Sequence, residues 1–207
     1  MQKYKLIDED MQDDSSIKNV AKVAEAVEPS PLIRSENNEV WFYSEINQKS
    51  ALKLIELLKT VEKNILTACV QYDIDAVPIK LYIHSPGGYV TSSFALASYI
   101  KNMKVPVHTI IDSWAASGAT ILSVSGAKRI ARQNSYVMIH QLSGAMWGSF
   151  ENMKDDFKNV KLMMADIINH YVKHTKIEEK ELKKMLKHDI YFSAEKCLEL
   201  GLIDEII

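Results

Sequence analysis

Short apolar runs of strand length alternate with apolar-faced helical stretches through most of this chain, and that alternation narrows the possible folds more than any other feature. Ile79–Ile83 and Val107–Ile111 are rich in β-branched residues, Lys128–Ala131 and Tyr136–His140 are shorter runs, and Val40–Tyr43 reads as a buried strand ahead of them. Between the runs, apolar residues at 51, 54, 55, 58, 61, 65 and 69 share one face of a helix over 50–70, and further helices are predicted over 90–103 and 117–125. Strands that alternate with helices predict an α/β fold in which crossover helices flank a parallel-sheet core. The 207 residues suffice for one domain with a sizeable core.

Three places along this pattern carry residues suited to chemistry. In Asp112-Ser-Trp-Ala-Ala-Ser117-Gly-Ala-Thr-Ile-Leu, a hydroxyl sits among residues too small to cover it, after a strand and before a helix. A serine nucleophile needs that placement, because Oγ must be exposed and the amide of the next residue, Gly118, must be free at a helix start to hold an oxyanion. Packing or capping is the commoner use of such a turn. His140 ends an apolar strand, where its ring can point into a cleft and serve as a base for Ser117; a core histidine bonded to a backbone carbonyl is the other reading. In Ser85-Pro-Gly-Gly88, the second glycine has no Cβ, so the Gly88 amide can approach a substrate closely, although the same residues also make an ordinary turn.

A long helix is predicted over 150–174. Phe150, Met153, Phe157, Val160, Met164, Ile167 and Tyr171 step by three and four, the seam of a helix that packs along another, and this predicts contacts between subunits. Thr175-Lys-Ile-Glu178 reads as a capping box that opens a helix ending near Lys187. Ser193 is expected to cap a last helix closed by Gly201, before a strand over 202–207.

Together, Leu81-Tyr-Ile-His-Ser-Pro-Gly-Gly88, Ala115-Ala-Ser117, Asn134-Ser-Tyr-Val-Met-Ile-His140-Gln and Phe192-Ser-Ala-Glu-Lys-Cys-Leu-Glu-Leu-Gly-Leu-Ile-Asp204 resemble ClpP, the proteolytic subunit of the Clp protease. The resemblance runs from about Glu39 to the end and is specific because four motifs occur in order. It implies the α/β ClpP/crotonase-type fold, with repeated β-β-α units, a parallel-sheet core and a protruding handle helix over about 150–174. It also implies a serine-type endopeptidase whose triad is Ser117, His140 and Asp189, the last carried over from Lys187-His-Asp189-Ile-Tyr-Phe-Ser-Ala. An imidazole base works best when a carboxylate fixes its tautomer; by composition alone Asp189 is as readily a turn residue. The implied oxyanion donors are Gly88 and Gly118. Substrate would lie extended between Gly87, Tyr89 and Val90 on one side and Leu142 and Ser143, in a strand after His140, on the other. The implied partners are further copies in heptameric rings stacked in pairs, unfolded polypeptide, and a Clp-type ATPase. A catalytically silent ring subunit and a crotonase-type acyl-CoA enzyme are the alternatives of the same fold.

The chain departs from the family pattern in several places. Ser113 stands where glycine usually opens the nucleophile motif, Gly118 replaces a larger residue, and Leu142 replaces proline after His140-Gln. Residues 1–38, with an acidic cluster at Asp8, Glu9, Asp10, Asp13 and Asp14, do not resemble the axial segment that engages an ATPase, and are expected to be a mobile tail before a peptidase domain over 39–207. The chain therefore reads as a divergent, phage-type or accessory member. A formal charge of −2 gives no sign of a nucleic-acid surface. No cofactor is called for, and no metal site either: His170 and His174 share a helix face without completing ligands. The two cysteines, Cys69 and Cys197, read as buried apolar groups of a reducing compartment. With neither a signal-peptide core nor a membrane span, the cytoplasm is the expected location.

Overall fold

The computed structural model describes residues 32–207. The acidic segment 1–31 lies outside the described residues. Residues 32–38, read from sequence as part of that tail, belong instead to the domain. Ile33–Glu36 (β1) turns back through Asn37, at φ 52°, to pair antiparallel with Glu39–Phe42 (β2). Four residues with no apolar alternation gave no strand signal; pairing with β2 supplies the bonds.

The remaining elements follow the predicted alternation. After β2 come Gln48–Tyr72 (α1), Ile79–Ser85 (β3), Val90–Lys101 (α2), Val107–Ala116 (β4), Gly118–Ser123 (α3), Lys128–Ala131 (β5) and Tyr136–Met138 (β6). Then follow Phe150–His174 (α4), Glu179–Met185 (α5), Tyr191–Ser193 (β7), Ala194–Leu200 (α6) and Glu205–Ile206 (β8). The sheet runs β1-β2-β3-β4-β5-β8, and every pair from β2 onward is parallel. β6 branches off, parallel to the second half of β4, and carries β7 antiparallel on its other edge. This is the α/β architecture with a mostly parallel sheet that the alternation predicts.

One face of the sheet makes the core. Ile79, Leu81 and Ile83 of β3 are fully buried and alternate with half-buried Lys80, Tyr82 and His84. Leu54, Leu58 and Val61 of α1, Leu96 and Ile100 of α2 and Leu122 of α3 complete that cluster. α1 starts sharply because Asn47 and Ser50 cap each other's backbone amides reciprocally. The opposite face is aromatic, with Trp41 stacked on Tyr82 and Tyr43 on His84.

Two expected caps at the C-terminal end form as read: Ser193 accepts from Lys196 N–H, and Gly201 closes α6 at φ 69°. The capping box at Thr175 does not form. Thr175 instead turns its hydroxyl back onto the Tyr171 carbonyl at 2.8 Å, and α5 begins at Glu179 without a side-chain cap. Arg129 of β5 ties this region together. Its guanidinium pairs with Asp204 and also donates to the carbonyls of His174 and Gly201, so it neutralises the negative end of α4. Cys197 is buried, which pushes its thiol up to about 12 and leaves it inert, whereas Cys69 is half-buried. Among the described residues, no helix is long and apolar enough to cross a membrane.

The expected seam of α4 divides into two halves. Ile167 and Tyr171 are buried in this chain's own core, while Phe150, Met153 and Phe157 are exposed. Next to Tyr171, His170 donates from Nε2 to the Ile121 carbonyl at 3.1 Å and packs edge-on against Phe94. Burial, reinforced by neighbouring His174, Lys101 and Lys173, lowers its pKa from 6.5 to about 4. The unfolded chain therefore takes up this proton first, so stability is complete above pH 6.5 and is lost as pH falls toward 4. The unfolding midpoint should decline across that window, and His170→Gln should make the decline shallower. An unchanged slope in that variant would show that other groups cause it.

Candidate active site

β4 delivers Ser117. The strand ends at Ala116, and Ser117 turns the chain into α3 at φ 55° and ψ −127°, a conformation that costs a non-glycine residue about 1–3 kcal/mol. The turn is clamped on both sides. Its N–H donates to the Met138 carbonyl of β6 at 2.8 Å, and its carbonyl accepts from Thr120 N–H at 2.9 Å and Thr120 Oγ1 at 2.5 Å. Held this way, Ser117 sits just past the end of the strand and is half-buried.

Strand register brings the other two side chains to it. Ala116 lies opposite Met138 in the parallel β4–β6 pair, so Ser117 and His140 both emerge just past the ends of neighbouring strands. In the antiparallel β6–β7 pair Met138 lies opposite Tyr191, and continuing that register past the strand ends sets His140 opposite Asp189. His140 Nε2 is 2.7 Å from Ser117 Oγ, and His140 Nδ1 is 3.1 Å from Asp189 Oδ1. The histidine side chain is 20% exposed and the aspartate 76%, so water competes for the carboxylate but hardly for the imidazole.

Facing the serine is the turn Ser85–Tyr89. Buried Ser85 accepts from the Gly87 N–H at 3.1 Å, and the Ile46 backbone grips the glycines from both ends, donating to Gly87 O at 2.7 Å and accepting from Tyr89 N–H at 2.9 Å. Both glycines have positive φ, at 90° and 147°. A Cβ on Gly87 would come within 2.5 Å of the Ala116 carbonyl, and one on Gly88 would fall onto the Ile46 carbonyl, so nothing larger fits. Gly118 is small for a different reason: a Cβ there would collide with Ser93 Oγ, which is bonded to the Tyr89 carbonyl at 3.0 Å. The amides of Gly88 and Gly118 thus lie side by side, and neither has an acceptor among the described residues.

The cleft at Ser117 is small, about 50 Å³, and is lined by Gly88, Val90, Gly118, His140, Leu142 and Ser143 among others. Of the residues expected along a substrate, Val90, Leu142 and Ser143 line it. Gly87 is buried beneath, and the Tyr89 ring is exposed outside it. The Tyr89 backbone is also occupied, since its N–H goes to Ile46 and its carbonyl to Ser93, so it cannot pair with a peptide. The strand expected after His140 is absent. From Ile139 to Gly148 the chain has no regular element: among the described residues no strand pairs with it, Gln141 N–H goes to the Leu186 carbonyl instead, and Trp147 is 82% exposed. Three contributors escaped sequence reading. Ile46 acts through its backbone alone, and Thr120 with Tyr171, whose hydroxyl lies 2.5 Å from Thr120 Oγ1, supports the turn from below. No local pattern flags a residue that works by backbone register or by a bond across 51 positions.

Comparison with known proteins identifies the family and the fold. A family model described as Clp protease matches residues 34–207. The ATP-dependent Clp protease proteolytic subunit of Deinococcus radiodurans is 34% identical over 131 residues, which cover 62% of this chain and 64% of that protein. The matched region thus falls somewhat short of two thirds of the relative's length. Among solved structures, a mutant form of ClpP1 from Listeria monocytogenes superposes with a TM-score of 0.71 at 24% identity, covering 82% of this chain and 91% of that one, a likeness of fold. With the family model spanning nearly all the described residues, the chain belongs to the Clp protease family.

Proposed function

We propose that this chain is a serine endopeptidase subunit that cleaves unfolded polypeptide inside a ring-shaped oligomer. The observation that carries the reading is the 2.7 Å contact between Ser117 Oγ and His140 Nε2, made at a strained strand-to-helix turn beside two amides without acceptors.

In this reading, His140 takes the Ser117 proton through Nε2 as Oγ attacks the scissile carbonyl. Asp189 holds the Nδ1–H tautomer and stabilises the imidazolium. The carbonyl oxygen becomes an oxyanion held by the Gly88 and Gly118 amides, each worth about 2.7–4 kcal/mol in such a site. His140 then returns the proton to the leaving amine, and water resolves the acyl-enzyme by the same steps in reverse order. The cleft beside the serine is about 50 Å³, and in this reading an extended chain lies across its mouth along Val90, Leu142 and Ser143.

The surface of α4 supports assembly. Phe150, Phe157 and neighbouring Trp147 are 70%, 52% and 82% exposed, a cluster of large apolar groups that a lone subunit would leave in water. We read it as the surface that further copies cover, with the 139–148 segment gaining there the pairing edge it lacks in the single subunit. A Clp-type ATPase as the source of unfolding work and a cytoplasmic setting belong to the same reading.

A fluorophosphonate should label Ser117, and Ser117→Ala should abolish labelling and lower peptide turnover by about 10⁶-fold; persistent labelling at another serine would reject the assignment. Asp189→Asn should cost less than the ~10⁴-fold of a buried triad aspartate, because solvent shares its carboxylate. Full activity in that variant would mean that another group orients His140. Phe157→Glu should lower the native mass of the assembly while leaving the subunit folded, since its ring touches little of its own chain. Intact assembly after that change would remove α4 from the subunit interface.

A further inference from the structure

We infer that Tyr171 is a positioning residue for the nucleophile: through Thr120, its buried hydroxyl holds the Ser117 carbonyl and with it the strained turn that aims Oγ at His140. The inference rests on the serine-peptidase reading above and extends it to a side chain 54 positions away on a different element.

Proton counting gives the direction of the link. The Ser117 carbonyl can only accept, so the Thr120 hydroxyl, 2.5 Å away, spends its single proton there. The Tyr171 hydroxyl, 2.5 Å from the same Thr120 oxygen, must therefore be the donor. The chain of bonds runs one way, from Tyr171 O–H to Thr120 Oγ1–H to the Ser117 carbonyl. Tyr171 is 2% exposed, and burial raises its pKa above the ordinary phenol value, so the donor proton stays in place at any pH the protein tolerates.

The geometry makes this bond matter more to chemistry than to packing. Ser117 is one of three non-glycine residues with positive φ among those described, and its carbonyl is the atom whose orientation changes if the turn relaxes. Thr120 N–H also bonds that carbonyl, at 2.9 Å, but a backbone amide in the first turn of a six-residue helix follows the helix. The hydroxyl relay instead ties the turn to α4, whose Ile167 and Tyr171 both line the cleft. A hydroxyl polarised by a second donor is also the stronger donor itself.

Tyr171→Phe keeps the ring and removes only the relay. The measurements are the rate of fluorophosphonate acylation at Ser117, kcat and KM on a short peptide, and the unfolding midpoint. The expected result is an acylation rate and kcat lower by about threefold to tenfold, the value of one such bond, with KM unchanged. Thr120→Val should reproduce that loss, Thr120→Ser should restore most of the rate, and the double variant Tyr171→Phe with Thr120→Val should lose no more than either alone. A purely structural hydroxyl would lower the unfolding midpoint without separating kcat from KM, and that outcome overturns the inference, as does wild-type acylation in Tyr171→Phe. If that variant fails to fold, the Thr120→Val and Thr120→Ser pair decides by the same criterion. Absence of labelling in the wild-type protein would overturn the peptidase reading itself and this inference with it.

Discussion

β4 is ten residues long, and its two halves bond to different strands on the same edge. His108–Ile111 pair with β5 and so continue the main sheet, while Trp114–Ala116 pair with β6, which leaves the sheet and takes β7 with it. This fork is the constraint from which the candidate site follows. A parallel pair sets Ser117 and His140 at neighbouring strand ends, and an antiparallel pair sets His140 opposite Asp189. A slip of one residue in either ladder would turn the side chains to the other face and disperse the three groups. The geometry of the candidate site is therefore held by backbone bonds in the sheet rather than by contacts among the three side chains.

The fork also explains the run of small residues around Ser117. Gly87 packs against the 116–118 backbone, Gly88 against Ile46, and Gly118 against Ser93, so three chain segments meet at van der Waals distance with no room for a Cβ. Such close approach brings two free amides to one place, and it holds Ser117 in a conformation the residue would otherwise leave. The cost of that conformation is offset by the bonds to Met138 and Thr120. The small residue at 118 thus has a local cause in this chain, namely the Ser93 hydroxyl that occupies the space.

α4 joins this site to the surface. Its C-terminal half is core, with Ile167 and Tyr171 against α3, and its N-terminal half presents Phe150, Met153 and Phe157 to solvent. A regular step of three and four reads the same for both halves, because it reports only that one stripe is apolar. What covers each part of the stripe depends on how far the helix extends beyond the sheet.

The sequence alone determined the order and type of most elements, since apolar periodicity over long segments records which face is buried, and α4 and β5 fall where it predicts them. It also singled out Ser117 and His140 as candidates by residue type and place, and the resemblance added Asp189. Tertiary structure decided the rest for stated reasons. β1 exists because β2 offers it an edge, the segment after His140 is irregular because no described strand pairs with it, and Thr175 bonds back into α4 instead of capping α5. Ile46, Thr120 and Tyr171 reach the site through register and through a bond between distant helices. Such relations are set only when the fold brings the partners together, and no local pattern of residues encodes them.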